Sequence, residues 1–264
     1  MRLPIFHVDA FADRPFTGNP AAVCPLNAWL DDELLRGVAA ENNLSETAFF
    51  VPRNQHYELR WFTPRCEVKL CGHGTLASAH VILNRIEPAS HSVRFETRQS
   101  GPLTVTKEGD LFSMDFPAMF AKPCPNPPNE LLHALAGAPA PLRVLEINSK
   151  YIAVYEHEDS IRNLQPDFAL LDRLHPFTVA VTAPGREVDF VSRYFAPSYG
   201  VQEDPVTGSS HCALTPYWAK ELGKASLTAR QLSSRGGSLS CGLSGNRVIL
   251  QGKAVFTLEG LLQI

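Results

Sequence analysis

The sequence predicts an α+β protein built of two similar half-domains, and three observations lead to this prediction. An aromatic residue followed two residues later by proline closes a predicted strand twice, in Trp61–Pro64 and in Tyr194–Pro197. Each loop leads to a glycine-bearing turn and a helix, at Gly74 and again at Gly208, and the two spacings differ by one residue. Strands and helices also follow in a similar order on both sides of a Pro-rich joint, residues 117–128.

The first half contains two predicted helices among short strands that end at turn residues. The first helix, Asp31 to Asn42, has Asp31 at its N-cap and carries its apolar residues on one face. The second, about His73 to Leu83, is apolar nearly all round, which is typical of a helix buried on every side. The strands are predicted at Ile5–Phe11, Ala21–Cys24, Thr47–Val51, Tyr57–Phe62, Val93–Thr97, Leu103–Lys107 and Leu111–Phe116, with an irregular loop over Thr63–Cys71.

The second half is predicted to repeat this order. Its helices are Asp167–Leu174 and Gly208–Leu222, and Pro216 is expected to kink or shorten the longer one. Its strands are predicted at Val144–Ile147, Tyr151–Tyr155, Phe177–Thr182 and Asp189–Phe195, with further strands in the tail Leu239–Leu258. We expect half-domains over residues 1–118 and 119–264, and the sequence leaves open whether the last strand, about 254–264, crosses back to the first half.

Composition and charge exclude several classes of function. The 264 residues carry 24 Lys+Arg against 27 Asp+Glu, so the chain lacks the basic excess of a nucleic-acid-binding protein. No run of about 20 apolar residues predicts a membrane span, and the first residues lack signal-peptide features, so a cytoplasmic protein is expected. The six scattered cysteines are predicted to be free thiols, and the spacing of Cys66, Cys71 and His73 does not fit a zinc site.

The two glycine-bearing turns, Cys71–Thr75 and Asp204–Ser209, are candidate anion-binding elements. The first N–H groups of a helix are unpaired, so two such turns in a repeat are expected to present donors to one cleft that accepts a carboxylate. The titratable residues near these turns are Glu46, His73, Asp204 and His211. Glu46 precedes an apolar run, so we expect partial desolvation of a carboxylate suited to proton transfer. Each of these residues also has a structural interpretation, as a solvated strand-edge acid or as a helix-start or turn residue.

Four segments resemble the signature segments of the PhzF-like (phenazine biosynthesis-like) family, and they follow each other in order along nearly the whole chain. They are Phe16–Ala21, Asn43–Phe49, Leu70–Thr75 and Glu203–Ser209. The family has the diaminopimelate-epimerase-like fold. The resemblance therefore implies a curved, mostly antiparallel sheet wrapped around a central helix in each half-domain, a homodimer, and no cofactor.

The resemblance also implies roles for individual residues. Glu46 matches the catalytic proton carrier, His73 lines its site, and Asp204 orients the substrate. The residues implied in substrate binding are Ser45, Asn19, Gly74, Thr75, Gly208 and Ser209, of which the last four would offer backbone N–H groups to the substrate carboxylate.

The activity implied is that of a cofactor-independent isomerase, which moves a proton between carbons of a small, cyclic or unsaturated, carboxylic acid. The family's model reaction is the isomerisation of trans-2,3-dihydro-3-hydroxyanthranilate. Two alternatives stay open: an amino-acid racemase or epimerase that uses Cys71, and a non-catalytic protein that binds small carboxylates. Racemisation by paired thiols is disfavoured, because the position equivalent to Cys71 in the second half is Pro205, which cannot carry a proton.

Overall fold

The computed structural model describes residues 1–137 and 139–264. Its helices are α1 (Asp32–Asn42), α2 (Gly72–Val81), α3 (Asn129–Ala134), α4 (Glu158–Arg162), α5 (Phe168–Asp172) and α6 (Gly208–Leu222). A π-helical turn, Ile82–Ile86, extends α2, and a short 3-10 turn covers Pro197–Tyr199. Within the described ranges, no helix has the length and apolar character needed to cross a membrane.

The strands lie between these helices. In chain order they are β1 (Arg2–Ala10), β2 (Asn19–Pro25), β3 (Glu46–Arg53), β4 (His56–Phe62), β5 (Glu67–Val68), β6 (Ser92–Thr97), β7 (Gly101–Glu108), β8 (Leu111–Pro117), β9 (Lys122–Pro123), β10 (Arg143–Ile147), β11 (Lys150–Val154), β12 (Thr178–Pro184), β13 (Phe190–Ala196), β14 (Val201–Glu203), β15 (Ser226–Gln231), β16 (Gly237–Ser244), β17 (Arg247–Gly252) and β18 (Ala254–Gln263).

The chain divides into two compact units. The first consists of Met1–Asp115 together with Gln251–Ile264, and the second of Phe116–Leu250. The last strand, β18, pairs antiparallel with β1 from Arg2 opposite Gln263 to Ala10 opposite Ala254. The first unit is therefore discontinuous in sequence.

Strand pairing follows the same pattern in both units. In the first, β1–β2 and β3–β4 are antiparallel, whereas β2–β3 and β4–β6 are parallel. In the second, β10–β11 and β12–β13 are antiparallel, whereas β11–β12 and β13–β15 are parallel. The fold class predicted from the two aromatic-Pro loops, an α+β protein of two similar halves, is thus confirmed.

Each unit has one helix that is largely enclosed by its sheet. Every residue of α2 from His73 to Val81 is buried, and the helix packs against β1, β2, β3, β7 and β18. The prediction from its apolar circumference is confirmed, because a helix without a polar face must be covered on all sides. In the second unit, α6 packs against β15 and β16.

Pro216 does not shorten α6, which continues to Leu222. A proline inside a helix leaves the carbonyl group four residues earlier without its N–H partner. Here that carbonyl belongs to Cys212, and it accepts a hydrogen bond from the backbone N–H of Met119 at 2.9 Å. The neighbouring segment thus satisfies the group that the proline releases. The expected shortening of the helix was wrong, and a kink at Pro216 stays a prediction.

Candidate active site

Glu46 is placed by the turn that links α1 to β3. The helix ends at Asn42, and Asn43 adopts the left-handed conformation (φ 49°) with its N–H bonded to the carbonyl of Ala39. Asparagine tolerates this conformation better than most residues, so the chain reverses here and Glu46 becomes the first residue of β3. Its side chain is 17% exposed, which leaves the carboxylate largely enclosed but accessible.

His73, the second residue of α2, connects Glu46 to Asn19. The His73 Nε2 atom lies 3.2 Å from Glu46 Oε2. On the other side of the ring, His73 Nδ1 lies 3.2 Å from the amide nitrogen of Asn19, which is fully buried at the start of β2. These contacts fix the orientation of the imidazole and bring three of the residues expected in the site together. Ser45 lies beside them in sequence and is half-buried.

Cys71 is the N-cap of α2. Its sulfur accepts the N–H of Gly74 at 3.2 Å and lies 3.5 Å from His73 Nδ1. Burial, and secondly the charge of Glu46, raise the pKa of the Cys71 thiol to about 11. The group is therefore a neutral thiol at pH 7, which favours a capping role over that of a base.

The ionisation of His73 reflects two opposing effects. Burial alone would lower its pKa, but the hydrogen bond with Cys71 and the adjacent negative charge of Glu46 raise the pKa well above 6.5. Because the pKa is higher in the folded state, the stabilisation from this proton is fully present below the unfolded value. It is lost as the pH rises through the folded pKa.

The substitution Glu46→Gln is therefore expected to lower the pKa of His73, because it removes the adjacent negative charge. Titration of the imidazole by NMR measures this directly. Glu33→Gln, which changes an exposed acid on α1, is the matched control and should leave the value unchanged. An equal pKa for His73 in the wild-type and Glu46→Gln proteins would contradict the contact described above.

The structure corrects the roles expected for Gly74 and Thr75. The N–H of Gly74 bonds to the Cys71 sulfur, and both the N–H and the hydroxyl of Thr75 bond to the Cys71 carbonyl. These N–H groups serve the cap and are not free for a ligand. The N–H groups that lack an intrahelical partner by position are those of Gly72 and His73, the first two residues of α2.

Gly74 is required at its position for packing. A Cβ atom there would lie 2.9 Å from the ring of Trp61 and 3.0 Å from the Cys71 sulfur. Trp61 belongs to the aromatic-Pro loop that marks the repeat, and it is buried. The glycine thus allows the start of α2 to pack directly on this ring, which holds His73 beside Glu46.

In the second unit, Asp204 belongs to a hydrogen-bonded turn before α6. Its carboxylate accepts the hydroxyl of Thr207 at 2.5 Å. The buried amide of Gln231 closes the turn, since its oxygen accepts the N–H of Thr207 and its nitrogen donates to the Asp204 carbonyl. Gly208 and Ser209 are the first two residues of α6, so their N–H groups have no intrahelical partner by position.

His211, the remaining titratable candidate, is fully buried within α6. Its Nδ1 atom donates to the Thr207 carbonyl at 2.8 Å, and burial lowers its pKa to about 4. The ring is therefore neutral at pH 7, and its visible role is to brace the first turn of the helix.

Comparison with known proteins decides the family. The family model described as phenazine biosynthesis-like protein matches residues 8–260. The chain belongs to this family. It is 54% identical to an uncharacterized isomerase of Pseudomonas aeruginosa, over 100% of both chains, and 37% identical to the phenazine biosynthesis-like domain-containing protein of Homo sapiens, over 99% of both. A crystal structure of a PhzF-family protein from Enterococcus faecalis matches with a TM-score of 0.94 at 43% identity, and 100% of both chains is covered.

This phenazine biosynthesis-like protein is thus an enzyme, an isomerase, and the alternative of a non-catalytic binding protein is dropped. The resemblance drawn from the four sequence segments is confirmed. The solved PhzF-family structure also agrees with the two-part α+β architecture.

Three side chains of this candidate site also provide a set of possible metal ligands. One atom from each of Glu46, Cys71 and His73 lies within 4.8 Å of the others. Carboxylate, thiolate and imidazole are all ligands of zinc. The sequence-based expectation that the protein uses no metal stays a prediction.

Two buried polar residues of the second unit were not predicted from the sequence. Gln231 ends β15, and Lys150 begins β11 directly before the apolar run Tyr151–Tyr155. Lys150 could have been found from its position directly before a continuous apolar run. Such a run predicts a buried strand, and a charged residue at its start is then expected to be buried as well. Gln231 carried no comparable signal, because polar residues at strand ends are common.

Proposed function

We propose that this protein is a cofactor-independent isomerase that moves a proton between two carbons of a small, cyclic or unsaturated, carboxylic acid, with Glu46 as the proton carrier. The observation that carries the proposal is the contact between His73 Nε2 and Glu46 Oε2 at 3.2 Å. It holds a largely enclosed carboxylate in one orientation while a part of it stays accessible. Such a group can take a proton from carbon and return it elsewhere.

The reaction proceeds in two proton transfers. First, a C–H bond adjacent to the unsaturated system breaks, an O–H bond forms on Glu46, and the electron pair delocalises into the substrate. Then the Glu46 O–H bond breaks, a C–H bond forms at the second carbon, and the double bond shifts. No electrons leave the substrate, so the balance requires no oxidant or reductant.

Two kinds of groups support the developing negative charge. The His73 imidazole, whose Nε2 atom lies 3.2 Å from Glu46 Oε2, stabilises the Glu46 carboxylate before the first transfer and after the second, and it fixes the position of the carboxyl group. Backbone N–H groups at a helix start stabilise a delocalised anion or a carboxylate. We assign this role to Gly72 and His73, which begin α2 in the same unit as Glu46.

The competing mechanism, a racemase or epimerase in which Cys71 removes the proton, is tested by Cys71→Ser. Serine keeps the N-cap of α2 but cannot act as a thiol base. The glutamate mechanism predicts a rate close to that of the wild type, whereas a thiol base predicts a loss of about 10²–10⁴-fold.

The measurement is deuterium incorporation from D₂O at carbon, followed by mass spectrometry or NMR on a panel of small unsaturated carboxylic acids. Glu46→Gln and Cys71→Ser are assayed beside the wild type. Exchange that is lost in Cys71→Ser and kept in Glu46→Gln would transfer the catalytic role from the carboxylate to the thiol.

A further inference from the structure

The second unit buries a lysine close to the first turn of α6. Lys150 is 8% exposed, and its ammonium nitrogen contacts Ser209 Oγ at 3.4 Å and lies 5.1 Å from the centre of the Tyr194 ring. Among the described residues, no carboxylate oxygen lies within 4.0 Å of this nitrogen. A buried ammonium group with one long hydrogen bond and no carboxylate in direct contact keeps two N–H donors for a ligand.

The position of Lys150 increases the cost of this charge. Ser209 is the second residue of α6, where the helix dipole already contributes partial positive charge. A cation at the N-terminus of a helix is therefore destabilised twice, once by burial and once by the dipole. An anion bound at the same place would be stabilised by both.

The repeat shows how the two units differ at this point. In the first unit, Ala21 of β2 pairs with Glu46 of β3, and in the second, Lys150 of β11 pairs with Thr178 of β12 in the equivalent parallel ladder. The acidic side chain of the first unit thus corresponds to a neutral hydroxyl, and a cation replaces the small alanine. Tyr194 holds this hydroxyl by donating to Thr178 Oγ1 at 2.8 Å. The equivalent position in the second unit therefore offers positive charge and hydroxyl groups and no proton-accepting carboxylate.

We propose that Lys150, together with Ser209 and the first N–H groups of α6, forms a carboxylate-binding site in the second unit and makes a full negative charge on the ligand a requirement. This inference goes beyond the proposed isomerase and does not rest on the mechanism assigned to Glu46. It assigns Lys150 to specificity: an acid is bound, and the corresponding amide or ester is rejected. Lys150 takes no part in the proton transfer itself.

The charge of Lys150 gives this binding a defined pH dependence. Burial lowers the pKa of Lys150 to about 8, while the negative charge of Asp204 opposes the shift. The other titratable groups that face it are Tyr194 and Cys212, whose pKa values burial raises, and His211, whose pKa burial lowers to about 4. All three are neutral at pH 8, so carboxylate affinity should fall as the pH rises through the titration of the lysine.

The probes are sodium benzoate and its neutral analogue benzamide, and binding is measured by calorimetry at pH 7. The wild type should prefer benzoate, and Lys150→Met should lose this preference, with benzoate bound about 10–100-fold more weakly, the range expected for a charged hydrogen bond. Lys224→Met is the matched control, since Lys224 is exposed in the same unit and pairs with Asp189. It removes the same charge and should not change the preference.

A second measurement needs no substitution. In the wild type labelled with ¹³C-lysine, the lysine that titrates near pH 8 should move to a higher pKa when benzoate is added and should not respond to benzamide. The proposal is overturned if benzoate leaves this titration unchanged, if the wild type shows no preference for benzoate, or if Lys150→Met keeps it. The Glu46→Gln protein separates the two proposals: exchange retained there rejects the isomerase mechanism, whereas the benzoate preference tests Lys150 alone.

Discussion

Replacing Glu46 by glutamine is expected to reduce exchange at carbon by about 10²–10⁴-fold, the contribution typical of a positioned general acid–base group. Glutamine has nearly the same shape, and its amide oxygen can take the position of Oε2, 3.2 Å from His73 Nε2, so the geometry should persist. Only the ability to take up and return a proton is lost. Deuterium incorporation from D₂O measures the rate, and benzoate calorimetry checks that ligand binding is retained.

The control for this experiment is Glu33→Gln, the same chemical change at an exposed position of α1. Its exchange rate should equal that of the wild type. If Glu46→Gln exchanged deuterium at the wild-type rate while still binding ligand, the carboxylate would not be the proton carrier. Loss of both exchange and ligand binding, with altered circular dichroism, would indicate that the Glu46→Gln protein is misfolded. Glu46→Asp would then be used in place of Glu46→Gln, and a large loss of exchange is again expected.

The substitution Gly18→Ala is expected to destabilise the first unit by about 3–5 kcal/mol, the sum of a strained backbone and an overpacked site. Gly18 has a φ of +66°, and a Cβ atom there would lie 2.2 Å from the carbonyl oxygen of Ala10 and 2.8 Å from the Cβ of Ala12. The backbone carbonyl cannot move away without breaking the start of β2, where Asn19 pairs with Ala10. The free energy of unfolding from urea titration measures the effect.

Gly101→Ala separates the cost of backbone strain from the cost of the steric conflict. Gly101 has nearly the same φ, +69°, but an added Cβ would meet no atom within 4 Å. This variant should lose only the backbone term, about 1 kcal/mol. If Gly18→Ala were no less stable than Gly101→Ala, the steric conflict with Ala10 would be absent. A folded Gly18→Ala protein should also exchange deuterium more slowly, because Asn19, the next residue, contacts His73.

The sequence was sufficient to predict the elements with strong periodicity. The bounds of α6 match the prediction, and α2 begins one residue before the predicted start. These helices are long, and their apolar residues dominate the local pattern. By contrast, α3 and α4 were not predicted, since five or six residues are too few to establish a period of 3.6. Two-residue strands such as β5 leave no pattern either.

For the candidate site, the sequence predicted which residues lie together, but it did not predict which backbone N–H groups are available to bind a ligand. Glu46, His73 and Asn19 were all named, and the structure brings them into contact. The free N–H donors at the start of α2 were predicted two residues too late in the chain. The sequence does not show that Cys71 caps the helix and binds the N–H groups of Gly74 and Thr75. Lys150 was missed because its neighbours Tyr194 and Ser209 lie 44 and 59 residues away, and only folding brings them together.

The pairing of β18 with β1 affects how the chain folds during synthesis. The strand that completes the sheet around α2 follows the whole second unit in the chain, so residues 254–263 leave the ribosome after that unit. Until then the edge of β1 is open, and the helix that carries His73 lacks part of its cover. A nascent chain can therefore complete its second unit well before the Glu46–His73 pair reaches its final setting. A chain that is cut short within β18 would keep an incomplete first unit.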